Sequence, residues 1–173
     1  MKADEIFLTS PISSAFGVPV FMLTDCKAGV YGEYKFGGKS YADTLVYLTM
    51  STGIGAGVLS KGDIFQGVDG NACEVGHFTV DTVYNMPCGC GRTGHWEAYS
   101  SGSGMPRFFS EWLKRRGADF GGEPLSSGQI LFAARNGDAV CSEFIADVSK
   151  INSLGLDAVV CAYNPDVIVL DGP

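Results

Sequence analysis

Short continuous apolar runs alternate along this chain with stretches of helical spacing. Residues 5–16 (EIFLTSPISSAF) read as the end of a helix, with Gly17 as its stop. VPVFML (18–23) has the length and composition of a buried strand. Asp25 follows and opens a helix predicted over 26–35, whose Ala28 and Gly29 allow close packing. The glycine-rich residues 36–39 read as a hinge. TLVYLTM (44–50) is the strongest strand pattern. STGIGAG, GVLSKG and DIFQG after it continue as a meander of antiparallel strands. Residues 70–96 are dense in Gly, Cys and His and show no periodicity, so they predict a loop-rich module. Helices are predicted near 96–104, over 106–116, over 128–138 and over 139–163. The last carries Val140, Phe144, Val148, Ile151 and Leu154 on one stripe. Asn164-Pro165 ends it, and VIVL (167–170) is a further buried strand. Mixed strands and helices give an α/β chain.

Composition narrows the function. The chain has 173 residues and is 46 % apolar, enough for one core. A net charge of −7 argues against a nucleic-acid surface, which is built from Lys and Arg facing phosphates. No apolar run reaches the ~18 residues of a membrane span, and MKADEIFLTS lacks the layout of a secretory signal. Of six cysteines, Cys26, Cys73, Cys141 and Cys161 sit in apolar segments, where cysteine acts as a small buried hydrophobe. The pattern indicates a reducing, cytoplasmic setting.

Three features carry chemistry. Glu74-Val-Gly-His77 is followed after ten residues by Cys88-Gly-Cys90-Gly-Arg-Thr-Gly-His95-Trp-Glu97. Two thiolates and two imidazoles make a tetrahedral set for Zn²⁺, with no position left open, so the ion would be structural. The alternative is ordinary thiols in a turn and a surface histidine. Against that, the chain has only two histidines and both lie beside its one close cysteine pair. The second feature is Thr49-Met-Ser51-Thr52-Gly53-Ile-Gly55-Ala-Gly57, placed between two strands. That context excludes the Walker A and dinucleotide turns, which join a strand to a helix. Glycine amides and hydroxyls suit a phosphate grip, and a plain glycine-rich hairpin is the competing reading. The third is Asp25, which at the end of a strand is either a general base or an ordinary helix cap.

Together these segments resemble the ROK family of sugar kinases and sugar-responsive repressors, from about residue 15 to 172. The resemblance lies in GVPVFMLTDCKAGVYGEYKFG, YLTMSTGIGAGVL, GNACEVGHFTV, PCGCGRTGHWEAYSSG, ARNGD and NPDVIVLDG, in family order. It implies an actin-like, hexokinase-like (ribonuclease H-like) ATPase fold, with the tail end of the N-terminal lobe over 1–38 and the C-terminal lobe over 39–173, including a zinc-binding loop module at 70–97. It also implies ATP with Mg²⁺, a small-molecule sugar as substrate, and homo-oligomeric assembly. Asp25 matches the family's catalytic base. Thr24, Glu74, His77 and Glu97 fall at sugar-contacting positions, and His77 doubles as a zinc ligand with Cys88, Cys90 and His95. Ser51, Thr52, Gly53 and Gly55 match the phosphate loop.

The departures shape the expectation. Thr24 stands where the family has Asn, Lys27 adds a charge beside Asp25, and His95 replaces a third cysteine. No Asp-x-Gly-x-Thr segment is found for a first phosphate loop, and the chain reaches only Asp171-Gly172-Pro173 of the adenosine motif. The lobe pair is therefore expected to be incomplete at both ends and the 173 residues alone to be poor catalysts. The competing expectation is a module that senses a sugar without phosphorylating it.

Overall fold

The computed structural model describes residues 7–118 and 121–172. The expected helix over 5–16 appears as α1 (Thr9–Phe16), ended by Gly17 in the left-handed conformation; residues 1–6 lie outside the described range. Residues 18–23 are not a strand. Phe21 is 88 % exposed and Val18, Met22 and Leu23 are also open to solvent, because no neighbouring strand among the described residues takes up their backbone groups. The helix after them is α2 (Asp25–Lys35), with extended Thr24 at its N-cap position.

Strands β1 (Thr44–Met50) and β2 (Ile54–Ser60) form an antiparallel hairpin, and β3 (Asp63–Ile64) adds two residues to its outer edge. The chain then runs through a loop-rich segment containing a 3₁₀ turn at Val75–His77. It continues through α3 (Glu97–Ser100), α4 (Met105–Arg115), α5 (Ser127–Arg135) and α6 (Ala139–Tyr163). It returns as β4 (Val167–Asp171), parallel to β1, giving the order β3-β2-β1-β4. A parallel neighbour requires such a long crossover, whereas the hairpin needs only a tight turn.

The two faces of the sheet bury different partners, as the two-residue period of a strand dictates. Leu45, Leu59 and Val30 of α2 form a small core on one face. Val46, Leu48, Ile54, Ala56 and Val58 face the larger core on the other. That core is aromatic: Phe144 of α6 meets Phe108, Phe109 and Trp112 of α4, with ring centroids 4.8–5.5 Å apart. Such pairs add about 0.5–1.5 kcal/mol each beyond burial. The indole nitrogens within it are satisfied, Trp112 donating to Asp147 at 2.9 Å and Trp96 to Asn152 at 2.8 Å.

Helix ends follow the sequence signals. Asp138 caps α6 by accepting from the Cys141 amide, Ser126 and Gln129 form a capping box on α5, and left-handed Asn164 stops α6 before Pro165. The expected α6 stripe is rotated. Val140 and Leu154 are exposed, and the buried line is Cys141, Phe144, Val148, Gly155 and Val159. Gly155 belongs to it because the Trp96 indole fills the space its side chain would take. The helix predicted near 96–104 is a single turn, since Ser101 leaves helical geometry before α4 starts. Cys161 lies exposed on α6, whereas Cys26, Cys73 and Cys141 are buried. Among the described residues no helix is long and apolar enough to cross a membrane.

Candidate functional site

The loop-rich segment is organised by two short antiparallel contacts, Thr79 with His95 and Pro87 with Thr93. A tight turn, with the Gly91 amide on the Cys88 carbonyl and the Cys88 amide on the Arg92 carbonyl, presents Cys88 and Cys90. The 3₁₀ turn presents His77, and the buried Trp96 anchors His95 beside it. Gly94 is required here: its φ is +77°, and a β-carbon would run into the Asp81 carbonyl.

These turns bring one ligand atom from each of His77, Cys88, Cys90 and His95 within 4.8 Å of one another. His77 Nδ1 lies 3.6 Å from Cys88 Sγ, and His95 Nδ1 lies 3.3 Å from Cys90 Sγ. Zinc–sulfur and zinc–nitrogen bonds of about 2.3 and 2.05 Å at tetrahedral angles place N and S about 3.6 Å apart. The side chains therefore fit a four-coordinate zinc ion. Burial above all, then the neighbouring His77 and Arg92, lowers the His95 pKa and favours the neutral imidazole that a metal needs. Burial pushes the Cys88 thiol up, a cost that coordination to a cation removes.

Glu97 begins α3 directly beyond this cluster. Its Oε1 lies 4.0 Å from Cys88 Sγ, and its Oε2 accepts from the Ile54 amide at 3.1 Å. Glu74 is exposed and follows Cys73, which has a left-handed φ of +73°. The Glu74 charge acts on the Cys26 thiol of α2. That thiol is pushed up chiefly by burial, with the charges of Asp25 and Glu74 adding to this against a hydrogen bond from Thr49. Lys27, only 5 % exposed, ties α2 to the same loop through its ammonium on the Gly70 carbonyl.

The glycines of β2 set the position of Asp25. Gly55 and Gly57 occupy the sheet face beneath α2, Gly55 under Cys26 Sγ, and a β-carbon at Gly57 would run into the Cys26 carbonyl. Their bareness lets the N-terminal end of α2 lie flat on the sheet. Asp25 thereby lines a cleft of 300 Å³ with Tyr47, Thr49, Ser51, Asp171 and Gly172, at the carboxyl ends of β1 and β4. Its Oδ1 accepts from the Cys26 amide at 2.8 Å. A second cleft of 410 Å³ shares Ser51 and adds Met50, Thr52, Ser100, Ser103, Met105 and Leu131.

Between the clefts, the loop's carbonyls are consumed by protein. Ser51 O accepts from the Gly102 amide at 2.7 Å, and Thr52 O accepts from the Ser103 hydroxyl at 2.8 Å. The Thr52 and Gly53 amides have no such partner among the described residues, which leaves this loop donor-rich. Ser100 Oγ in the second cleft is buried without a hydrogen-bond partner, an expensive state for a hydroxyl. Tyr47, Ser100 and Ser103 line these clefts with no motif to mark them, and Asp171 stands in the sequence only as part of Asp171-Gly172-Pro173. Asp171 carried the same signal as Asp25, a carboxylate ending a buried strand pattern.

The sequence profile of the ROK family matches residues 1–173. This chain belongs to the ROK family. It is 36 % identical to a glucokinase of Pyrobaculum calidifontis, over 95 % of this chain and 52 % of that protein. It is 32 % identical to the xylose repressor of Bacillus subtilis, over 96 % of this chain and 41 % of the repressor. The ROK hexokinase structure from Thermus thermophilus superposes with a TM-score of 0.81 at 29 % identity, covering 95 % of this chain and 54 % of that one. This ROK chain thus has the α/β architecture of the hexokinase and spans about half the length of the relatives it matches.

Proposed function

We propose that this ROK chain contributes the sugar site, the catalytic base and one phosphate loop to ATP-dependent phosphorylation of a hexose or hexose derivative. The observation that carries the reading is the cleft shared by Asp25, Thr49 and Ser51 beside the donor-rich loop. In this reading the hydroxyl proton of the sugar passes to Asp25 as the sugar oxygen bonds to the γ-phosphorus. The bond to the β-phosphate oxygen breaks and ADP leaves. Such a transfer is accelerated mainly by positioning and by neutralising phosphate charge. The Thr52 and Gly53 amides and the Ser51 hydroxyl supply donors, and Mg²⁺ would supply the remaining neutralisation. Gly55 acts indirectly, by letting α2 carry Asp25 close. The apolar Met50, Met105 and Leu131 with the orphan Ser100 hydroxyl suit a nucleoside in the second cleft.

Thr24, Glu74, His77 and Glu97 are assigned to the sugar. Carboxylates are strong acceptors for pairs of sugar hydroxyls. The Cys₂His₂ set is assigned to a structural zinc, which cross-links the loop that carries Glu97. The relatives' names support a sugar of the glucose type, and the xylose repressor supports the alternative of sensing without transfer. A coupled ADP assay on the intact protein, across common hexoses and N-acetylhexosamines, separates the two. Sugar-dependent ADP release is expected; sugar binding without ADP release would favour the sensing alternative and overturn the kinase reading.

A further inference from the structure

Glu97 touches both halves of the site. One carboxylate oxygen lies beside the Cys88 thiol, and the other holds the amide of Ile54, the first residue of β2, directly after Gly53 of the phosphate loop. Gly53 makes room for this contact, since a β-carbon there would sit 2.5 Å from Glu97 Oε2. The turn after α3 grips the same loop from the same side. Gly102 N donates to Ser51 O at 2.7 Å, and both the amide and the hydroxyl of Ser103 donate to Thr52 O. Residues 97–103 thus form a backing against which the loop is set, and its only charged member is Glu97.

We propose that Glu97 is a positioning residue for the phosphate loop, so that sugar and nucleotide binding are coupled through its carboxylate; this rests on the kinase reading above. A carboxylate has about four acceptor positions, so a sugar hydroxyl is accepted without displacing the Ile54 amide. A sugar held there fixes the Glu97 rotamer and, through Ile54, the loop that receives the phosphates. Ordering the loop before the nucleotide arrives reduces the entropy lost on nucleotide binding. The coupling is positive, and linkage makes it reciprocal.

The test uses the intact protein and titration calorimetry with Mg²⁺ and adenylyl imidodiphosphate, an ATP analogue that is not hydrolysed, with and without saturating glucose. Glucose is expected to tighten analogue binding at least ~5-fold, the lower end of ordinary coupling. In Glu97→Gln the ratio persists although glucose binds more weakly, because the amide oxygen still accepts from Ile54. In Glu97→Ala the ratio falls to about one while zinc content is unchanged, as Glu97 is not one of the four ligands. Amide exchange at Ile54 accelerates in Glu97→Ala and stays slow in Glu97→Gln, a readout that needs neither ligand. A ratio of one in the wild type, a ratio retained in Glu97→Ala, or unchanged Ile54 exchange overturns the coupling and leaves the kinase reading standing. A wild type that does not bind the analogue overturns both.

Discussion

Residues 18–23 and β4 are similarly apolar, short and uninterrupted, yet only β4 is a strand. β4 is delivered by the 25-residue α6 to the open side of β1, where five residues pair in parallel from Leu45–Val167 to Thr49–Asp171. Residues 18–23 have no such neighbour among the described residues, and Phe21 stands 88 % exposed. An apolar run specifies only a preference for burial. Whether it becomes a strand depends on a second backbone that accepts its hydrogen bonds. The part of the chain that owns its partners, from α2 through β4, should therefore behave as the cooperative unit, and the 7–23 segment should contribute little to it.

The largest effect expected within that unit comes from metal removal. Wild-type protein is predicted to contain about one zinc per chain by elemental analysis, as a four-ligand site requires. Chelation, or Cys88→Ser, should abolish slow amide exchange across 75–97 and leave exchange over 18–23 as fast as before. Retention of protection in metal-free protein would detach the zinc from the stability of the module. Next in size, Trp112→Ala should cost ~3–5 kcal/mol in urea unfolding, because it empties a buried aromatic site. Phe21→Ser should change stability by less than ~0.5 kcal/mol, as ordinary surface substitutions do. Equal costs would erase the contrast between the two regions.

Much of this organisation is legible in the sequence, for reasons that differ by element. β1 and α6 declare themselves because their patterns are long and bounded by Gly, Asp-Ala and Asn-Pro signals. The Cys/His cluster declares itself because the chain has no other histidines. The expected α6 stripe holds at Phe144 and Val148 and fails toward its ends, because Gly155 has no apolar side chain to mark it as the place where Trp96 packs. Gly55 and Gly57 read as phosphate-loop glycines, yet both lie beneath α2, a tertiary contact that local pattern cannot encode. Ser100 and Asp171 reach their clefts only through the long crossover, which brings residues as distant in sequence as Thr49 and Asp171 side by side.

A smaller effect concerns acid. Burial acts to raise the Asp81 pKa, but the Tyr99 hydroxyl at 2.6 Å and the amides of Val83, Tyr84 and Asn85 outweigh it and hold it below its ordinary value. A carboxylate depressed in the folded state contributes stability that is fully present above the unfolded pKa of about 3.9. That contribution is lost as the pH falls from there through the folded value. Urea midpoints measured against pH should fall across this window in the wild type and flatten in Asp81→Asn; parallel curves would remove Asp81 from the acid limb. Smallest is association. The exposed Phe7, Leu8, Ile12, Phe16 and Phe21 give the N-terminal region an apolar surface of the kind that marks contacts. Light scattering at micromolar concentration should give a mass above one chain, and a monomer would count against homo-oligomerisation.

In the kinase reading proposed above, Asp25 takes the proton in phosphoryl transfer to a sugar. The direct measurement is Asp25→Asn in the intact protein, with sugar affinity and sugar-dependent ADP release read on the same preparation. With Asp25 in that role, sugar affinity should stay within a few-fold of wild type and turnover should fall by ~10²–10⁴, the usual contribution of a general base. Turnover that survives Asp25→Asn would contradict it.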